Sequence, residues 1–504
     1  MASSGVAGAS PAKAPFNALE FQRQHGYLPI HGVAALERAK ARSAAEVAAL
    51  HPQRSAQSPA VPSIGASWSG SAGGNPPDAN GTVGPKSYIE ITNNQISIYK
   101  RNGSLIMSVS LFTLVGHSVI GDPTVIWDPD TQRFYYSLIG PTVNTINWGF
   151  SKDNNPLTIP GGFCGYQSDF GFPSGQLLDY PKLGQTKGFL MVGINLYPPG
   201  QQAATEGDVL WMNKPQGSAP IATCPAASKF NTGVFHDLRN QDGSQGFTPV
   251  PAIQTDPSPN GYVTTMSDIE CPPICGKGAL LTTYTLKPSA SDPKVPTLSK
   301  PVSVTVGKFK PPADAPQAGT DRLLDTLDGR LTHSVSGIDP VLGKTTVWIS
   351  HCVLGGAGAE VRWYEIKPGK SASIVQSGTV SDSNLYVYDG AISNDRTVNA
   401  AGKTSHGGAM VLGFNTSSAS AFVAVQMVSK VGAHPQSTFV MVHQSTAPYA
   451  PAGCGSLGCR WGDYSGATPD PAASMAAKNG EVWLTSEWTS GDSNRPTWNW
   501  EALP

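Results

Sequence analysis

The chain has 504 residues, 39% of them hydrophobic, which is enough apolar material for a large core and makes disorder an unlikely state. Charged residues are only 14%, the formal net charge is −1, and no basic stripe is visible, so nucleic acid is not an expected partner. No apolar run approaches the roughly 18 residues that a membrane span needs.

The start, MASSGVAGASPAKAP, lacks the basic and then apolar regions of a signal peptide, so the chain reads as already processed. Low charge, Ser/Thr/Gly/Asn richness and the cysteine pattern favour a secreted, extracellular protein. Residues 1–65 form an N-terminal arm with one expected helix over Val33–Leu50, where Val33, Leu36, Val47 and Leu50 are spaced for one face. Two readings stand for this arm: a pro-segment or an arm docked on the main domain, or a frayed, weakly helical or disordered terminus. Residues 66–77 are rich in Pro, Ser and Gly and read as a linker.

From Asp78 the chain turns into short β-type runs. Ser87–Thr92, Gln95–Tyr99, Thr124–Trp127, Arg133–Leu138, Phe189–Ile194, Leu280–Leu286, Thr345–Ser350, Glu360–Ile366, Ala409–Phe414 and Glu481–Ser486 are punctuated by Gly, Asn, Asp or Pro. No long amphipathic helix intervenes, so parallel α/β folds are disfavoured. A loose unit recurs: a polar entry, a short strand, a turn, then an aromatic-rich strand. Its clearest copy runs from Gly121 to Ser137, and weaker copies start near Asp78, Asp179, Pro249, Arg330, Asp389 and Asp463. Seven starts predict an all-β fold, a single β-propeller of seven four-stranded blades over residues 78–504. A β-sandwich or β-helix is the competing architecture.

The cysteines are Cys164, Cys224, Cys271, Cys275, Cys352, Cys454 and Cys459. Cys271 with Cys275, and Cys454 with Cys459, sit close together in Gly/Pro-rich loops where a disulfide would clip a turn. Their spacing is wrong for zinc, and no His adjoins either pair. Cys164 with Cys224 is a third candidate pair, and Cys352 then reads as a buried free thiol.

In a propeller, the starts of the innermost strands converge on one central funnel. The starts offer Asp78, Asp122, Asp179, Arg330, Asp389, Arg460, Asp463 and Tyr464, with His236 and Asp237 on a preceding loop. Converging carboxylates raise one another's pKa values and an arginine lowers them, which separates an acid from a base. Each Asp has a second reading as a turn cap, and Trp461 has one as packing between blades. Such a ring needs no cofactor, although its oxygens could hold a structural or catalytic Ca2+. Asp128-Pro-Asp130 starts like a calcium loop, but the Gly and distal Glu are missing, so a plain turn is expected.

Several pieces resemble a group of secreted bacterial β-propeller proteins related in architecture to the sialidase-like superfamily. They are Asp78-Ala-Asn-Gly-Thr-Val-Gly-Pro85, Ile98-Tyr-Lys-Arg-Asn-Gly103, Gly121-Asp-Pro-Thr-Val-Ile-Trp-Asp128, Arg330-Leu-Thr-His333, Val361-Arg-Trp-Tyr-Glu-Ile366 and Arg460-Trp-Gly-Asp-Tyr-Ser465. The resemblance implies fold and export. No Ser-x-Asp-x-Gly-x-x-Trp box is clear, and no set of three arginines with a Tyr–Glu pair is readable, so sialidase activity is not implied.

Two functions follow as expectations. In the first, the chain is an extracellular carbohydrate-active enzyme, a glycoside hydrolase or lyase. Asp463 with one of Asp122, Asp179 or Asp389 supplies acid and base, and Tyr464 relays a proton. Arg330, Arg460, Trp461 and His236 bind the saccharide. In the second, it is a non-catalytic binding or adhesion module that recognises its ligand through long loops.

Overall fold

Among the described residues, strands that alternate or run apolar, separated by turn-formers, pair mostly with their sequence neighbours into seven blade sheets around one axis, antiparallel except where Ile253–Gln254 lies parallel to Leu331–Asp339. The computed structural model describes residue 20 and residues 28–50, 60–72, 74, 76–267, 279–452, 454–455, 457–491 and 495–504. Five sheets have four strands, and two carry one further short strand. The architecture is the expected all-β propeller of seven blades.

The innermost strands, blade by blade, are Asn80–Val83, Gly121–Asp128, Leu177–Gln185, Gly246–Pro251, Leu331–Asp339, Tyr386–Asn394 and Gly466–Pro469. Each lies at or directly after one of the seven starts read from the sequence. All seven are buried from end to end or in all but one residue, because both faces meet neighbouring blades. An outermost strand such as Ser373–Val380 alternates exposed and half-buried instead. Between blades, large apolar side chains fill the wedges: Tyr135, Trp148 and Phe150 meet Leu190, Val192 and Leu210 between blades 2 and 3. Trp348 and Trp363 meet Leu412 and Phe414 between blades 5 and 6.

The boundary at 78 needs correcting. Ser63–Ala72, which overlaps the expected linker, is a strand that pairs antiparallel with Pro496–Leu503 and forms the outer edge of blade 7. Its Ser/Gly composition hides it, because most of its residues face solvent. Trp68 is its anchor, lying edge-on to Tyr88 of blade 1 with ring centroids 5.4 Å apart. The ring is therefore closed by joining both ends of the chain in one sheet.

The arm helix spans Val33–Glu46 and continues as a short 3-10 turn. Its buried face is Leu36, Ala39, Lys40 and Ser43. Of the expected face, Leu36 holds, whereas Val47 lies in the 3-10 turn and is only half-buried. Cys164–Cys224 and Cys454–Cys459 are disulfides, and Cys352 is a buried free thiol. Cys271 and Cys275 lie outside the described residues. No described helix is long and apolar enough to cross a membrane.

Candidate functional site

Backbone irregularity builds the top of the funnel. Inner strands are bulged at Gly121/Thr124, Asp179/Lys182, Phe247/Val250, Leu331/His333 and Tyr388/Ala391. Such bulges re-aim side chains. Asp78, Asp122, Tyr180 and Asp389 take left-handed backbone conformations, with φ of 48°, 57°, 59° and 52°. A left-handed residue other than Gly is uncommon, and a cluster of them is a mark of functional sites.

The side chains so aimed interlock across blades. Asn93 donates its amide to Asp78 Oδ2 at 2.6 Å and accepts the Asp122 main-chain N–H at 2.8 Å. Tyr464 donates its hydroxyl to Asp122 Oδ2 at 3.0 Å, and Tyr180 donates to the Asp463 carbonyl at 2.9 Å. Lys182 Nζ sits 4.0 Å and 3.5 Å from the ring centroids of Tyr180 and Tyr464, in cation–π contact with both. Arg330 pairs with Asp328 at 2.7 Å and approaches Asp179 at 3.9 Å. Arg460 approaches Asp463 at 3.4 Å, and Arg495 approaches Glu487 at 3.8 Å. Gly462 must be glycine: its φ is +68° and a Cβ there would lie 2.8 Å from Asp389 Cβ.

Asp78, Asp122, Asp179, Asp389, Asp463 and Glu487 are buried, and Asp328 is nearly so. Burial, reinforced by Asp122, pushes Asp78 up to about 8. Burial and Asp179 push Asp122 up to about 7 against the pull of Arg460. Burial raises Asp179 to about 7 although Arg330 opposes it. Asp389 and Asp463 lie well above the usual carboxylate range, through burial and then through Glu487 and Asp78 respectively. Burial drives Lys182 down to about 7. Asp78 Oδ1, Asp179 Oδ1 and Asp463 Oδ1 are buried and accept no hydrogen bond from the described residues.

Of the residues singled out by sequence, Asp122, Asp179, Asp389, Asp463, Tyr464, Arg330 and Arg460 are brought into this network. Trp461 is not a stacking platform: it is fully buried among Tyr388, Tyr449 and Val423, and its indole N–H bonds Asn415 Oδ1 at 3.1 Å. His236 contacts Asp208, at 2.8 Å, and the edge of Phe172, not the funnel carboxylates. Asp237 bonds Asp208 and Arg239 on the same rim. Asp128 caps its own turn by accepting from Thr131 and ion-pairs Lys214 at 2.6 Å, as a plain turn would. Sequence reasoning missed Lys182, Tyr180, Asn93 and Glu487. The one available signal was Asp179-Tyr-Pro-Lys182, a lysine directly after a predicted strand start.

For metals, among the described residues two groups place one ligand atom per residue within 4.8 Å: Glu206, Asp208 and His236, and Asp470, Glu481 and Glu501. Both lie outside the funnel network. The funnel's own carboxylates are interleaved with Lys182, Arg330, Arg460 and Arg495.

No protein-family model matches the chain, and no curated protein matches it. Solved structures similar to it include an α-L-arabinofuranosidase from Lactobacillus brevis, at 11% identity and TM-score 0.29 over 75% of this chain and 89% of that one. An α-L-arabinanase from Penicillium chrysogenum complexed with arabinobiose matches at 12% identity and TM-score 0.36, over 72% and 98%. AztD from Citrobacter koseri matches at 10% identity and TM-score 0.22, over 69% and 92%. At these values the likeness assigns no chemistry to this chain.

Proposed function

We propose that the funnel is the active site of an exported carbohydrate-active enzyme, a glycoside hydrolase whose acid and base are drawn from its carboxylates. The observation that carries this reading is the meeting of Asp78, Asp122, Asp179 and Asp463 from four blades in one buried site, with three of their oxygens unsatisfied by protein. Glycoside hydrolysis needs one carboxyl that keeps its proton near neutral pH and a second that gives it up. Asp463, held far above the usual range, fits the proton donor. Asp122, at about 7 and oriented by Tyr464, fits the base. Lys182, Arg330 and Arg460 supply the positive field for hydroxyl or carboxylate groups of the sugar. Export places Cys164–Cys224 and Cys454–Cys459 in an oxidising compartment, where such bridges persist.

The test is a panel of polysaccharides and aryl glycosides. Asp122→Asn and Asp463→Asn are each expected to lower turnover by about a hundredfold or more. Turnover unchanged in both removes the assignment.

A second reading, a non-catalytic binding module, is favoured by one observation. The cavity that reaches Lys182, between Thr124, Thr332, His333 and Ser465, measures about 20 Å3, room for a single water. In that reading the charged network closes the ring, and glycan binding at exposed loops survives both substitutions.

A further inference from the structure

The N-terminal arm lies across the mouth of the funnel. Leu28 holds it by its main chain. Leu28 N–H donates to Asp179 Oδ2 at 3.1 Å, and the Leu28 carbonyl accepts from Arg330 at 2.8 Å and from the Tyr197 hydroxyl at 2.5 Å. The Leu28 side chain is buried against Ile139, Leu177 and Tyr197 of blades 2 and 3. One helical turn on, Leu36 and Val33 pack on Tyr180 and Tyr464, the two rings that hold Lys182. At the far side Lys40 is buried in ion pairs with Asp314 and, at 2.7 Å, Asp325 on the loop that leads into blade 5. Ser43 then donates to the Pro311 carbonyl at 2.7 Å.

We propose that residues 28–46 are an intramolecular plug, a peptide ligand held in cis whose main chain occupies the Asp179–Arg330–Tyr197 subsite and whose helix covers the Lys182 cage, so that the arm must leave before a saccharide enters. This rests on the reading of the funnel as the reactive site. Three features argue that the arm is a ligand rather than core. Its hold on Asp179 and Arg330 uses the donor and acceptor of one peptide unit, groups that hydroxyls of a sugar reproduce. Its helix buries Lys40 and Ser43 beside Leu36 and Ala39, so ion pairing and hydrogen bonding share with apolar contact in docking it. A buried lysine between two carboxylates is stable only while all three are present, which makes Lys40 a point where one change releases the segment.

The test uses the full chain, Lys40→Glu, which sets a third carboxylate beside Asp314 and Asp325, and Leu36→Asp, which acts at a separate contact. Two readouts are taken: hydrogen exchange of the amides of residues 28–46, and acetylation of Lys182 by acetic anhydride at neutral pH, read by mass spectrometry. In the parent the arm amides are expected to exchange before those of the inner strands, and Lys182 to stay unmodified. In either folded variant, Lys182 labelling is expected to rise by about tenfold or more as the closed population falls. Parent arm amides that exchange only with global unfolding overturn the plug, and so does a variant whose arm is free while Lys182 stays protected. Saccharide turnover is measured on the same samples. Lys182 exposed without any turnover leaves the plug standing and ends the glycosidase reading.

Discussion

Tyr464 donates its hydroxyl to Asp122 at 3.0 Å across 342 positions of sequence, so a residue of the last blade orients a carboxylate of the second. That bond favours the charged form of Asp122, against burial and Asp179, which together lift it to about 7. Tyr464→Phe keeps the ring that faces Lys182 and removes only the donor. The Asp122 pKa is expected to rise further, and stability at neutral pH to fall by about 1 kcal/mol. In the hydrolase reading, the acid limb of the pH–rate profile moves to higher pH. A profile and an unfolding midpoint both identical to the parent's would show that this hydrogen bond orients nothing.

The funnel carboxylates also predict how stability depends on pH. Asp78, Asp122 and Asp179 have folded values of about 8, 7 and 7 against an ordinary 3.8, so the folded chain keeps protons that the unfolded chain releases. Their contribution is complete below the ordinary value and is lost as pH rises through 7 to 8. Lys182 acts oppositely: its folded value of about 7 lies below 10.5, so stability from this group grows as pH rises above 7. His333 and His351, lowered by burial to about 4, act in the same sense as Lys182 but only below 6.5. Three carboxylates against one lysine give a net decline from about pH 6.5 to 8. Asp78→Asn removes one titrating group, so its stability relative to the parent should climb between about pH 5 and 8. Denaturant titrations of both proteins across that range are the check, and a constant difference would contradict the buried, proton-holding Asp78.

Much of this was legible in the sequence, and for a physical reason. Ring closure repeats one local pattern, a turn-former ahead of a short strand, so Asp122, Asp179 and Asp389 announce their inner strands by themselves. The convergence of Arg330 and Asp463 on the same funnel follows from that geometry once the ring is assumed. What stayed hidden depends on contacts distant in sequence. Nothing local marks Lys40 as buried, because its partners Asp314 and Asp325 lie 274 and 285 residues away. Ser63–Ala72 reads as linker because an outermost strand has little to bury, and Trp68 alone betrays it. Trp461, between Arg460 and the Gly462-Asp463 pair, reads as a platform. The left-handed Gly462 beside it lets the chain turn, with the indole packed in the core and Asp463 in the funnel.

The two disulfides should differ in what their loss does. Cys164–Cys224 spans 60 positions and Cys454–Cys459 only 5. By loop-closure entropy alone, losing the first costs about 4 kcal/mol and the second about 2 kcal/mol. The short bridge, however, leads directly into Arg460 and Asp463, and the Cys459 carbonyl accepts the Asp325 N–H at 2.9 Å. Replacing Cys454 and Cys459 by Ser is therefore expected to lose less stability but more funnel-dependent activity than replacing Cys164 and Cys224. Unfolding curves and turnover on the two double variants decide it, and the reverse order for stability would refute the loop-length account.

Arg330 is the cation on which the mouth of the funnel depends. It is fully buried, bonds Asp328 and the Leu28 carbonyl, and lies 4.6 Å from the centroid of the Tyr180 ring. Burial works against charge on Asp328, yet Arg330 holds that carboxyl below its ordinary value. Arg330→Gln leaves an ionised, buried Asp328 behind and is expected to cost about 3–5 kcal/mol. Arg330→Lys keeps the charge but not the fork that grips Asp328 through two nitrogens, so it should recover only part of the loss. Asp328→Asn added to Arg330→Gln should restore more, since the stranded charge is then gone. Denaturant midpoints for the two single and the double variants form a cycle whose coupling should reach about 2 kcal/mol or more. Simple additivity would mean that the pair is incidental and that the mouth is held by its neighbours.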